Sequence, residues 1–286
     1  MTYRIATVSF LNAWPLVKRL PAGDGSVTLL SDLPSRLPEL LHAGRADAAI
    51  IPVVEYFRGA GAAVVPGVAI AADGPAASVK LFSRVPPAAI RHVAVDRGSR
   101  TSVALLRILF AELYDVQPDF RIFTPDPADV PGEADAALVI GDRCFAAEGR
   151  LRLAGRDDVY IVDLAEVWRE MTGLPFVFAV WAVGRSFAAT ADAAARRELE
   201  RLLMAARDAG LRDLDALAAE AAAAGLAGPG GEVSAPAIAA YFRDHLRYTL
   251  GERELAGLRL FHALCVRHAV CPPGRPVEVA ARSRGE

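Results

Sequence analysis

Two octapeptides in this chain follow one template, Gly-x-Ala-Asp-Ala-Ala and then two aliphatic residues: Gly44 to Ile51 and Gly132 to Val139. Each lies downstream of a Ser-Arg pair that opens an apolar helical pattern. Ser35-Arg36 precedes Leu37, Leu40 and Leu41, and Ser99-Arg100 precedes Val103 to Leu113. Two matches in the same order point to one α/β unit used twice, by the logic of internal repeats.

The first unit opens with an apolar run, Ile5 to Val8, which breaks into Ser9-Phe10-Leu11-Asn12-Ala13-Trp14-Pro15-Leu16 and resumes as a helix over Trp14 to Leu20. The break places polar residues at the carboxyl end of a strand, where open α/β sheets bind ligands. Asn12 is the candidate there, because its amide donates and accepts hydrogen bonds without carrying charge. It also has the chemistry of a helix cap. A turn at Pro21 to Gly25 leads to a strand, Val27 to Leu30. Asp32 to Ser35 then starts a helix that holds Pro38 in its first turn and stops at Gly44. Ala46 to Ile51 reads as a buried strand ending at Pro52, with Glu55 and Tyr56 just beyond.

The second unit has a strand at His92 to Val95 before its Ser99 helix start. Extended apolar segments flank it: Ser78 to Phe82 leads in, and Phe176 to Trp181, after Thr172-Gly-Leu-Pro175, leads out. Beyond lie four helical patterns, Ala191–Ala209, Leu211–Ala224, Ala235–Thr249 and Glu252–His268, with a break at Gly225 to Gly231 and a fraying Pro/Arg/Gly-rich end. The pattern predicts an α/β protein of two lobes, lobe I from 1–82 and 183–286, lobe II from 83–182. Two crossing strands would join them, with a ligand in the cleft. A single large doubly wound sheet is the alternative.

At 286 residues, 53% hydrophobic and 23% charged, the chain is globular and long enough for two lobes. A net charge of −2 argues against general binding to nucleic acid or anionic membranes. Cys144, Cys265 and Cys271 form no CxxC pair, and the five histidines form no HExxH, so neither a disulfide framework nor a metal site is expected. No apolar run reaches the roughly 18 residues that span a bilayer. Met1 is followed by a core strand with no signal-peptide pattern, so a cytoplasmic location is expected.

The polar residues at strand ends are Ser9, Asn12, Ser35, Ser78, Ser99, Thr101, Ser102 and Asp142. Several fall at helix starts, where free N–H groups and the helix dipole favour an anion. Ser99 to Ser102 could cradle one carboxylate, and Ser35 could supply a second anion site from the other lobe. Capping by Ser99 or Thr101 is the plainer reading of the first set, and the two roles are compatible. A small dianionic carboxylate is the expected ligand. Phosphate-loop, dinucleotide and nucleophile-elbow motifs are missing. Chemistry here would therefore rest on positioning and polar stabilisation.

Ser9-Phe-Leu-Asn12 with Pro15-Leu16, Asp32-Leu-Pro-Ser35-Arg36-Leu37, Ala46-Asp-Ala-Ala-Ile-Ile-Pro52 with Glu55-Tyr56, Ser99-Arg-Thr-Ser102, Ile140-Gly-Asp142, and Trp168 with Thr172-Gly-Leu-Pro-Phe176 together resemble the MqnA family. These are chorismate dehydratases of the futalosine route to menaquinone, and the resemblance runs from about Arg4 to Phe261. It implies a type II periplasmic-binding-protein-like fold and a lyase that removes water from chorismate, giving 3-[(1-carboxyvinyl)oxy]benzoate without metal or organic cofactor. The family's motif Asn falls on Asn12, which the resemblance makes the catalytic candidate. Ser9, Ser35, Ser78, Ser99, Thr101, Ser102 and Asp142 are the candidate substrate-binding set. Glu55 and Asp142 are fallback bases should the substrate's own enolpyruvyl carboxylate not take the proton. Phe10 departs from a common Tyr, and Cys144 stands where a small residue is more usual. The sister family of dihydroxynaphthoate synthases carries a Ser-Pro-Cys-Pro-Asn-type start, unlike the one here. A solute-binding protein that closes on a small acid without chemistry is the rival from another class.

Overall fold

The computed structural model describes residues 1–96, 98–122, 134–153, 155, 158–225, 233–274 and 277. In chain order, β1 (Tyr3–Thr7) leads through a 3-10 turn (Leu11–Ala13) into α1 (Trp14–Val17). It is followed by β2 (Val27–Ser31), α2 (Leu37–His42), β3 (Ala48–Pro52), α3 (Val53–Phe57) and β4 (Ala63–Ala72). The chain then builds β5 (Val79–Ser83), β6 (His92–Val95), α4 (Thr101–Tyr114), β7 (Asp119–Ile122), β8 (Ala136–Ile140), α5 (Arg143–Leu153), β9 (Tyr160–Asp163) and α6 (Leu164–Thr172). It returns as β10 (Phe176–Val183) and closes with α7 (Arg185–Thr190), α8 (Ala193–Arg212), α9 (Leu214–Ala223), α10 (Ala235–Ala240) and α11 (Glu252–Arg267).

The strands form two five-stranded sheets, β2-β1-β3-β10-β4 and β7-β6-β8-β5-β9. Their grammar is the same. In the first, β1 runs parallel to β2 and β3, and β10 pairs antiparallel with β3 and β4. In the second, β6 runs parallel to β7 and β8, and β5 pairs antiparallel with β8 and β9. The repeated Ala-Asp-Ala-Ala strands thus occupy equivalent places, β3 and β8. Strand β3 is buried at all five positions, as a central strand covered on both faces requires. The single-sheet alternative is excluded.

Strand β5 belongs wholly to the second sheet and β10 wholly to the first, so the chain passes between lobes at residues 73–78 and 173–175. Both passages are tied down. Asp73 accepts from Arg169 Nε at 2.6 Å and Arg253 Nη1 at 2.8 Å. Asp163 accepts from Ala76 N at 3.1 Å and Ala77 N at 2.7 Å, and also caps α6 through Ala165 N and Glu166 N. The sequence feature Trp168 to Phe176 is this junction. Trp168 stands edge-on to Phe176 and Phe261, and its Nε1 donates to Pro175 O.

Two expected helices change, and one helix is new. The first is a 3-10 turn plus one α-turn ending at Val17, not a helix to Leu20. The pattern over Ala235–Thr249 stays α-helical only to Ala240, widens into a π-turn at Tyr241–His245, and runs extended from Leu246, where Arg247 bridges to Ala71. Helix α7 was not expected. Gly132 and Glu133, residues 226–231 of the glycine-rich break, and 278–286 at the end lie outside the described residues.

Candidate active site

A cavity lies between the sheets, walled by Val8, Ile50, Pro52, Ile70, Val79, Ile140 and Phe178. Its polar lining comes from both lobes: Asn12 after β1, Ser78 from the first crossing segment, and Ser99, Arg100, Thr101 and Ser102 at the start of α4. No carboxylate lines it among the described residues.

Asn12 sits inside the 3-10 turn and caps nothing, since neither that turn nor α1 has a side-chain cap. Its Oδ1 is buried without a hydrogen-bond partner. A buried carbonyl oxygen without a partner costs on the order of 1–3 kcal/mol. The fold bears that cost in a side chain that lines the cavity just after β1. Ser99 Oγ, across the cavity, is buried and unpartnered in the same way.

The start of α4 is not side-chain capped either, so the expected Ser99 or Thr101 cap is corrected. Instead, Val54 N donates to Thr101 Oγ1 at 3.4 Å, tying α3 of one lobe to α4 of the other. With that lone pair engaged, the Thr101 hydroxyl still has its own proton to donate. The first N–H groups of a helix have no intrahelical acceptor, so α4 presents a positive terminus beside these hydroxyls.

The remaining candidates lie elsewhere. Ser9 is exposed, and Ser35 is half-buried outside the cavity wall, where Pro34 takes its place. Asp142 is outside the wall as well and accepts from Leu11 N at 3.3 Å. Burial pushes its pKa up to about 6, against the pull of that N–H bond. Glu55 pairs with Arg58 at 2.8 Å. Cys144 is buried, donates to Val139 O, and has its thiol pKa pushed up by burial. Sequence reasoning did not single out Arg100, the one cation on the wall among the described residues. It lay within the Ser99 to Ser102 stretch and could have been taken with it. Phe10 lines the cavity and packs against Gly141, where a Cβ would sit 3.5 Å from the ring.

Among solved structures, protein AF1704 from Archaeoglobus fulgidus superposes with a TM-score of 0.72 at 15% identity, covering 94% of this chain and 98% of that one. The alkanesulfonate-binding protein SsuA from Xanthomonas axonopodis pv. citri, bound to MOPS, gives 0.68 at 18% identity, with 96% of each chain covered. A Candida albicans protein described as having the generic periplasmic binding protein fold gives 0.62 at 12% identity over 97% and 93%. Two lobes of matched topology around a polar-lined cavity are a periplasmic-binding-protein-like fold. A chorismate dehydratase from Thermus thermophilus is 29% identical over 245 residues, 82% of this chain and 84% of the relative. The menaquinone biosynthesis family matches residues 3–267, and the chain belongs to that family. Among the described residues no helix is long and apolar enough to cross a membrane.

Proposed function

We propose that the protein is a chorismate dehydratase, eliminating water from chorismate to give 3-[(1-carboxyvinyl)oxy]benzoate. The observation that carries this reading is the pair of buried, unpartnered oxygens, Asn12 Oδ1 and Ser99 Oγ, on opposite lobes of one cavity. The curated Thermus relative supports the same reaction.

Loss of water removes the C3 proton and expels the C4 hydroxyl, and the ring becomes aromatic. Aromatisation supplies the driving force, so the protein's task is to hold geometry and steady transient charge. Ser78, Ser99, Thr101, Ser102 and Arg100 bind the two carboxylates, and Asn12 hydrogen-bonds the reacting region. Among the described residues the wall offers no carboxylate base, which supports proton removal by the substrate's own enolpyruvyl carboxylate. Glu55, engaged by Arg58, and Asp142, engaged by Leu11 N, have other partners.

Mixing the purified chain with chorismate and following the ultraviolet spectrum tests the reading. An aromatic product accumulating over many turnovers is expected. Binding of chorismate with no product would overturn it and leave a solute-binding protein.

A further inference from the structure

Ser78 is 1% exposed and stands at the cavity end of the first crossing segment. The backbone around it is over-determined. Asp163 holds the N–H groups of Ala76 and Ala77, Ala77 is left-handed at φ +62°, and Ser78 O accepts from Gly141 N at 2.8 Å. Its hydroxyl meets Tyr241, whose phenol donates to Ser78 Oγ at 2.8 Å.

Tyr241 is 2% exposed, is not on the cavity wall, and packs edge-on against Phe145. It opens the π-turn, a rare element that marks functional sites more often than chance. Burial pushes its pKa far up, so it remains a protonated donor. A hydroxyl has one proton to give and two lone pairs. With Tyr241 donating, the Ser78 proton must go elsewhere, and its acceptor here, Ala76 O, is distant at 3.4 Å. A hydroxyl that accepts one bond is also polarised into a better donor of the next.

We propose that Tyr241 is a positioning residue: by donating to Ser78 Oγ from behind the wall, it turns the Ser78 hydroxyl into a donor to one carboxylate of the substrate. This rests on the dehydratase reading, and its test is separable from it.

Turnover of chorismate is measured for the wild-type chain, Ser78→Ala, Tyr241→Phe and the double variant. Tyr248→Phe serves as control, because it is another buried tyrosine and its hydroxyl has no partner. A bond made equally in ground and transition states moves KM and leaves kcat. Ser78→Ala is expected to raise KM about tenfold, and Tyr241→Phe about fivefold on the same scale. The double variant should be no worse than Ser78→Ala, and Tyr248→Phe unchanged. The relay is overturned if Tyr241→Phe keeps the wild-type KM, or if its effect multiplies with that of Ser78→Ala. Should Tyr241→Phe fail to fold, fluorotyrosine at position 241 decides. The stronger donor should lower KM, and an unchanged KM overturns the relay. A wild-type chain that makes no aromatic product counts against the dehydratase reading instead.

Discussion

The backbone N–H of Leu11 and the carboxylate of Asp142, 131 residues apart in the chain, meet across the cleft at 3.3 Å. Burial holds Asp142 at a pKa of about 6, above its ordinary 3.8. The folded protein therefore takes up a proton between those values. This contribution to stability is complete below about pH 4 and is lost as pH rises through 6. Asp142→Asn keeps an acceptor for Leu11 and removes the charge. Its melting temperature should exceed wild type by roughly 3–6 °C at pH 8, from about 1–2 kcal/mol, and match it near pH 4. An equal offset at both pH values would show that the burial of charge is not the cause.

Asn12→Ala should separate activity from stability. Removing a donor or acceptor aimed at developing charge lowers kcat by about 10²-fold or more. The same change deletes an oxygen that has no partner, so thermal stability should hold or rise. Melting curves and steady-state rates on one preparation check both halves.

At the crossing segment, Asp163 satisfies four backbone N–H groups. Asp163→Ala leaves those donors buried, with an expected loss of about 3–5 kcal/mol in urea unfolding. Ala77→Gly relieves a left-handed alanine and should gain roughly 0.5–1 kcal/mol. A loss on Ala77→Gly would mean that the side chain matters more than its backbone.

Helix α8 rests on the turn of α1 that follows Asn12, with Gly210 against Pro15. A Cβ on Gly210 would lie 1.9 Å from Pro15 O. Gly210→Ala must push the two helices apart, costing about 2–3 kcal/mol and lowering kcat through displacement of Asn12. Gly149→Ala, in open space on α5, should instead be neutral or gain up to about 1 kcal/mol. Denaturation midpoints of the pair read the contrast.

The strands were legible because their burial is written in unbroken apolar runs, Ala46 to Ile51 and Phe176 to Trp181. The repeat was legible because both lobes use the same central strand, and Asn12 and Ser99 to Ser102 because they stand at strand ends. The π-turn was not. Ala235 to Thr249 keeps a helical period, and the widening at Tyr241 accompanies contacts with Phe145 and Ser78 that no local pattern encodes. Ser35 was drawn into the site as a helix start and Asp142 as a strand-end residue. Which face of a turn looks inward depends on tertiary packing, and there Pro34 and Gly141 took the wall.

Strand β10 lies between β3 and β4, in the interior of the first sheet, yet it is made after every strand of the second. During synthesis the early strands therefore wait with open edges for some hundred residues. The inserted lobe can close on itself before its host can. The order in which the lobes can close thus runs opposite to the order in which they are begun, and mutations that slow the inserted lobe would leave the first-made segment exposed longest to aggregation.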